Sequence, residues 1–210
     1  MRKLTSLLPL VVFSCAALAQ DLTPIQLPPP RMAGGMPLME ALRLRQSRRE
    51  FAPDPLPPQV LSNLLWAAWG VSRPDSGKRT APSAMNRQEM DVYVAQADGL
   101  YRYDAKAHAL VPLAREALRA QTGGQAFVST APLNLIYVTR AAGGSAEDRL
   151  IYGGAQAGFI SQNVYLFCAS EGLATVVRGG IDRDAMARAM KLGPDQRIIL
   201  AQSVGYPKKP

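Results

Sequence analysis

The chain has 210 residues, 48 % of them apolar and 19 % charged, with a formal net charge of +8. That balance excludes a disordered chain and suits one globular domain with a sizeable core. The basic residues are scattered and do not interleave with aromatics, which argues against nucleic acid as the partner. A single histidine, His108, excludes a His-based metal cluster.

Met1-Arg2-Lys3, the apolar run Leu7–Ala17 and the small-residue site Ala17-Leu18-Ala19 form the pattern of a cleaved secretory signal over residues 1–19. The run is too short to anchor the chain in a bilayer, so the expectation is export to the periplasm or medium without stable membrane insertion. Cys15 imitates a lipoprotein signal, but Phe13 and the site downstream favour soluble export. Removal of Arg2 and Lys3 leaves a charge of +6, which still favours anionic partners. It also leaves Cys168 alone, as a packed core thiol with no disulfide partner.

Residues 20–36 carry Pro28-Pro29-Pro30 and Gly34-Gly35 and read as an extended arm, a tether or a strap around a partner subunit. The domain proper is expected over 37–210. Pro37 opens a helix with Leu38, Ala41 and Leu42 inward. A second helix follows Pro57-Pro58, with Val60, Leu61, Leu64, Leu65 and Ala68 on one stripe, Trp66 and Trp69 flanking it, and Gly70 as its stop. Asp91–Ala95 and Leu100–Tyr103 form a hairpin around Asp98-Gly99. Leu133–Val138 is a central strand. Ala157–Ser170 is apolar nearly all round and is expected to be a buried helix, with Gln162 and Asn163 needing partners inside. Ile181, Asp182 and Met186 open a short helix, and Ile198–Val204 is a last buried strand. Strands cluster without regular βα alternation, so the fold class is α+β.

Three segments carry chemistry. Arg45, Ser47 and Arg49, spaced two apart, converge only if the preceding helix ends there and the chain turns extended. Guanidinium forks and a hydroxyl then suit phosphate oxygens. A solvated charge run is the alternative. Ser83 and Asn86 sit on an irregular Pro-containing loop, where a carboxamide can donate and accept at once; the alternative is a turn that caps its own backbone. Glu171–Gly180 runs from a helix end through an extended stretch to Gly179-Gly180, where backbone N–H groups can approach a planar ligand closely. The alternative there is a plain helix-to-helix turn.

In order and spacing, Leu64–Ala68, Arg79 with Pro82-Ser83-Ala84, Leu100–Asp104, Gln162-Asn163 and Gly205-Tyr206-Pro207 resemble the nitroreductase-like FMN flavoproteins. The flavour is that of the SagB-type, azoline-oxidase-like branch. The resemblance covers about Pro37 to Lys209. It implies an intertwined homodimer, a mostly antiparallel sheet flanked by helices, and FMN held between the subunits. It further implies that Arg45, Gln46 and Ser47 meet the phosphate and ribityl chain, Arg49 the pyrimidine end, and Asn86 the ring. Gly179 and Gly180 would present backbone to N5 and O4, Ser83 would come from the second subunit, and Lys208 or Lys209 would supply a phosphate cation. Gln156 and Phe159 stand where that branch has an acidic residue and a histidine. Arg149 and Tyr152 stand nearest its Lys-Tyr pair, which puts azoline oxidation in doubt. The implied activity is hydride transfer between a reduced donor such as NAD(P)H and a nitroaromatic, quinone or enone-like acceptor, with no obligatory acid–base side chain. The alternative is an exported flavin-binding subunit without turnover.

Overall fold

The computed structural model describes residues 23–140 and 144–209; the expected signal segment 1–19 and the first residues of the arm lie outside them. In chain order the elements are β1 (Ile25–Gln26), α1 (Leu38–Leu44), α2 (Pro58–Trp69), β2 (Val71–Arg73), β3 (Lys78–Arg79), β4 (Met90–Gln96) and β5 (Gly99–Asp104). There follow β6 (Ala109–Ala114), α3 (Phe127–Thr130), β7 (Leu133–Arg140), α4 (Ala146–Ser170), β8 (Ala174–Arg178), α5 (Arg183–Ala189) and β9 (Gln196–Gly205). Seven strands form one sheet in the order β1-β6-β5-β4-β7-β9-β8, every neighbouring pair antiparallel. The α+β expectation holds.

Both faces of the sheet centre are covered, which is why β4 and β7 read as continuous apolar runs. Alternate residues point to opposite faces. Val92, Val94, Leu135 and Tyr137 pack on one side with Leu64 and Leu65 of α2 and Ile160 and Val164 of α4. Tyr93, Ile136, Val138 and Ile198 pack on the other with Ile181 and Met186. Asp182 caps α5 as expected, accepting from Ala185 N at 3.0 Å.

Several expectations need correction. Of α1 only Ala41 is buried; Leu38 and Leu42 are 62 % and 43 % exposed, because α1 lies on the surface rather than in the core. α4 is 25 residues long and starts at Ala146, not Ala157. Gly153, Gly154 and Gly158 weaken its helical signal. The start is set by a capping box in which Ser145 Oγ accepts from Asp148 N at 3.0 Å and the Asp148 carboxylate accepts from Ser145 N at 3.1 Å. α4 is also not buried all round. Ile151, Ala155, Gly158, Phe159 and Gln162 form one exposed stripe, so Gln162 needs no interior partner. Asn163 does find one, donating to Ala67 O at 3.1 Å. The hairpin loop is Ala97-Asp98, with Gly99 opening β5, since a Cβ there would strike Ala114 O.

β6 had no sequence prediction, because Pro112 demotes a strand signal. Its place between β5 and the two-residue β1 leaves the Pro112 position free of a β1 partner. The arm is docked on its own chain through β1, buried Leu27 and the Pro28 carbonyl. Among the described residues, no helix is long and apolar enough to cross a membrane.

Candidate functional site

α1 ends at Arg45, whose backbone (φ −56°, ψ 122°) leaves the helical region. The chain then runs along β8, the outer strand of the sheet. Arg48 N donates to Thr175 O at 2.9 Å, Ala52 N to Tyr206 O at 2.9 Å, and Lys208 N to Glu50 O at 3.2 Å. Phe51 bridges Pro207 and packs with Ala174 and Val176, which pins the segment. The helix thus ends at Arg45, as the spacing of Arg45, Ser47 and Arg49 requires, and the segment is held along the sheet edge.

The sequence reading did not single out Tyr165, yet it organises this edge. Its ring lies 5.2 Å from the Arg45 guanidinium carbon. Its hydroxyl accepts from Val177 N at 2.9 Å and lies 2.7 Å from Ser47 Oγ. The available signal was a tyrosine on the inner stripe of a long helix, since a buried phenol must find a hydrogen-bond partner. Val177 N belongs to β8, and Gly179 follows two residues on, about 7 Å along the strand. Gly179 and Gly180 are exposed, and Ile181 N donates back to Gly179 O at 2.9 Å in the turn that follows. Arg45, Ser47, Tyr165 and the diglycine turn thus share one edge.

Gln46 is exposed at its base and lines a small cavity of about 140 Å³ with Tyr165 and Cys168. Burial pushes the Cys168 thiol far above its usual range, as for an inert core sulfur. Arg48, Arg49, Glu50, Pro207 and Lys208 line a second cavity of about 340 Å³. Arg49 and Lys208, expected at opposite ends of the cofactor, are therefore side by side. Among the described residues Arg45, Arg48 and Arg49 form no ion pair. With no salt bridge to a carboxylate among the described residues, the three arginines suit this edge to an anion, although Glu50 shares the second cavity.

Ser83 and Asn86 lie elsewhere. Ser83 Oγ accepts from Gln88 N at 3.1 Å and Asn86 Oδ1 from Gln88 Nε2 at 3.0 Å, so each caps its own loop. Met85, Asn86 and Gln88 have φ of 50°, 53° and 51°, a strained run for residues other than glycine. Arg79 braces the loop: it donates to Gln88 Oε1 at 2.7 Å and to Trp69 O at 2.9 Å, and stacks 4.7 Å from the Trp69 ring. The neighbouring Arg87 lies 5.9 Å from the Tyr152 ring, near the start of α4. Tyr152 and Tyr165 are thirteen residues apart on one helix, or about 20 Å. Within one chain, this loop does not meet the Arg45–Ser47 edge.

Between the arm, α2 and α4 opens a cavity of about 860 Å³, lined among others by Trp66, Arg79, Asn163 and Phe167. Next to it runs the exposed stripe of α4, with Ile151 58 % and Phe159 46 % exposed. An apolar stripe interleaved with Ala155 and Gly158 suits close packing of a second helix.

Comparison with known proteins places this architecture. The nitroreductase family profile matches residues 42–206. A protein of Methanocaldococcus jannaschii named as a nitroreductase is 30 % identical over 170 residues, which cover 74 % of this chain and 84 % of the relative. A crystal structure from Ralstonia eutropha JMP134, described as a nitroreductase, is 45 % identical, covers 89 % of this chain and 90 % of that one, and superposes with a TM-score of 0.85. A further structure, described as a nitroreductase from Desulfovibrio desulfuricans in complex with FMN, shares the fold at 21 % identity, covers 84 % of this chain and 89 % of that one, and has a TM-score of 0.61. With the profile spanning most of the domain and a 45 % identical structure matching it nearly end to end, this chain belongs to the nitroreductase family.

Proposed function

We propose that the chain is an FMN-dependent oxidoreductase that passes hydride from a reduced donor such as NAD(P)H to a small nitroaromatic, quinone or enone-like acceptor. The observation that carries this reading is Arg45 beside Ser47 and Tyr165, with Arg48 and Arg49 following and none of the three in a salt bridge among the described residues, on a sheet edge that ends in Gly179-Gly180. These residues fit the cofactor: cations and a hydroxyl for a phosphate and a polyol, exposed backbone for a planar ring. The resemblance to the SagB-type branch gives the residue roles. The segments that carry it, Leu64–Ala68 and Gly205–Pro207 among them, favour that branch within the family.

When bound, FMN supplies the reversible transfer of hydride and electrons. Arg45, Gln46 and Ser47 hold its phosphate and ribityl chain, with Tyr165 fixing the Ser47 hydroxyl. Arg49, with Lys208 beside it, faces the pyrimidine end and offsets negative charge there. Gly179 and Gly180 offer backbone donors without side chains in the way. Ser83 and Asn86 complete the site from a second copy of the chain, because the neighbouring Arg87 stacks on Tyr152, about 20 Å along α4 from Tyr165 on the same subunit. The exposed stripe of α4 is where that copy packs. Export through the signal at residues 1–19 puts the mature protein in the periplasm or medium.

The test is the purified mature protein. It is expected to be yellow, to be bleached anaerobically by NADH or NADPH, and to recover colour on addition of menadione or a nitroaromatic. A colourless protein that refuses added FMN refutes the cofactor; a yellow one bleached by neither nucleotide refutes the donor.

A further inference from the structure

Arg178 is the last residue of β8 and immediately precedes the diglycine turn. It is 6 % exposed, and among the described residues no carboxylate pairs with it. Every acceptor it finds is neutral. Nη1 donates to Thr122 O, Nη2 to Thr122 Oγ1 at 2.9 Å and to Asn134 Oδ1 at 2.7 Å, and Nε to Ser203 Oγ at 3.2 Å. Buried charges are ordinarily paired, because taking a lone ion out of water is costly. Burial pushes this guanidinium down to about 10, which leaves it cationic at neutral pH.

The guanidinium is lodged directly behind the turn. A Cβ on Gly123 would collide with Arg178 Nη1 and stand 3.1 Å from Gly180 O, so only a glycine's width separates them. The same side chain ties the Thr122–Gly123 loop and β7 to the strand that carries Gly179. Neutral acceptors fix the cation without neutralising it, and the low dielectric around it does not screen it.

We propose that Arg178 is a positioning and electrostatic residue: it sets the Gly179-Gly180 turn, and its uncompensated charge raises the reduction potential of the flavin bound there. This rests on the FMN reading above. Two-electron reduction breaks a C–H bond of the donor and forms an N–H bond at N5; the donor leaves oxidised, and one negative charge stays on the ring at neutral pH. That charge is densest at the pyrimidine end, where Arg49 would meet it; a fixed cation behind the N5 edge would act on it through space across a poorly screening interior and so favour the reduced ring.

The experiment measures the midpoint potential and FMN content of the full-length holoprotein and three variants. Asn134→Asp keeps the oxygen that accepts from Arg178 and sets a carboxylate against the guanidinium, with loss of the Asn134 Nδ2 hydrogen bond to Val128 O. Arg178→Gln removes the charge, and Arg178→Lys keeps it without the fork. The expected result is a tenfold or larger loss of the reduced form in Asn134→Asp and Arg178→Gln, about 30 mV for a two-electron couple. Arg178→Lys should stay near the wild-type potential even if its melting temperature falls. Should Arg178→Gln fail to fold, Asn134→Asp decides alone. Yellow Asn134→Asp protein at the wild-type potential overturns the proposal, as does an Arg178→Lys potential as low as that of the neutralised variants. A wild-type protein that refuses FMN overturns the cofactor reading itself, and the two failures are told apart by colour.

Discussion

The Tyr165 hydroxyl lies 2.7 Å from Ser47 Oγ and accepts the Val177 backbone N–H at 2.9 Å, so one phenol joins the cationic loop to the edge of β8. The Arg48 N–H to Thr175 O hydrogen bond and the packing of Phe51 on Ala174 and Val176 tie the backbone of the loop to that strand. The position of the Ser47 hydroxyl is therefore set by a residue on a different element, more than a hundred positions away in the chain.

Tyr165→Phe is expected to weaken the folded protein by about 1–2 kcal/mol, since it strands the Val177 N–H. It should also raise the FMN dissociation constant several-fold through a freed Ser47. Arg45→Ala with Ser47→Ala should raise it much further, since charge-assisted contacts contribute roughly 1.5–3 kcal/mol each. Urea denaturation and equilibrium dialysis against FMN read the two effects. Unchanged retention in the double variant would move the phosphate site elsewhere.

Gly158→Arg tests the second copy. A Cβ at Gly158 meets nothing within 4 Å among the described residues of the single chain, so the subunit should keep its circular dichroism spectrum. Sedimentation should show a monomer, and bound FMN should be lost with the partner's Ser83 and Asn86. A variant that remains dimeric with full flavin content would remove the α4 stripe from the interface.

His108 gives a pH dependence of defined sign. Its Nε2 lies 3.1 Å from Pro28 O, which can only accept, so Nε2 carries the proton and Nδ1 is left to accept from the Tyr103 hydroxyl at 2.9 Å; Ser62 Oγ, 2.8 Å from Nε2, donates to Pro28 O at 2.6 Å, latching the arm. Burial lowers the His108 pKa from 6.5, and the Pro28 carbonyl opposes this only in part. A depressed folded value means that the contribution is present above pH 6.5 and is lost as pH falls from there through the folded value. Urea stability should therefore drop between pH 7.5 and 5. His108→Asn, which tolerates the φ of 49° at this position, should be less stable and flat over the same window. A wild-type profile as flat as the variant's would disprove the latch.

Gln156 is 2 % exposed, and among the described residues neither end of its amide has a hydrogen-bond partner. Gln156→Leu should stabilise the subunit by about 1–2 kcal/mol, because an unpaired buried amide is destabilising and an apolar side chain of similar size is not. The melting temperature of the apoprotein reads this. A fall on substitution would mean that the amide has a partner in the assembled protein.

Local patterns exposed much of this fold. The stripe of α2, the runs of β4 and β7 and the Asp182 cap were readable because each burial pattern repeats at the period of its element. The true start of α4 was also written in the sequence, as Ser145 and Asp148, but three glycines hid the helix behind it. The exposure of Leu38 and Leu42 was not readable: an amphipathic stripe says that a face is apolar and not what covers it. At the site, the turn-out at Arg45 followed from the spacing of Arg45, Ser47 and Arg49, whereas Tyr165 and Arg178 looked like ordinary members of a helix and a strand.

By itself, the sequence determined the types of the long central elements, the α+β class and the cation-rich segment at 45–49, because propensity, capping and charge act over a few residues. Only the tertiary structure decided which of those residues meet. It set Tyr165 against Ser47, left Arg178 with no carboxylate partner among the described residues behind Gly179-Gly180, and held the Ser83–Asn86 loop near the start of α4, away from Tyr165. These are contacts between segments far apart in the chain. Their geometry comes from the order of the strands and the length of α4, which no local pattern encodes.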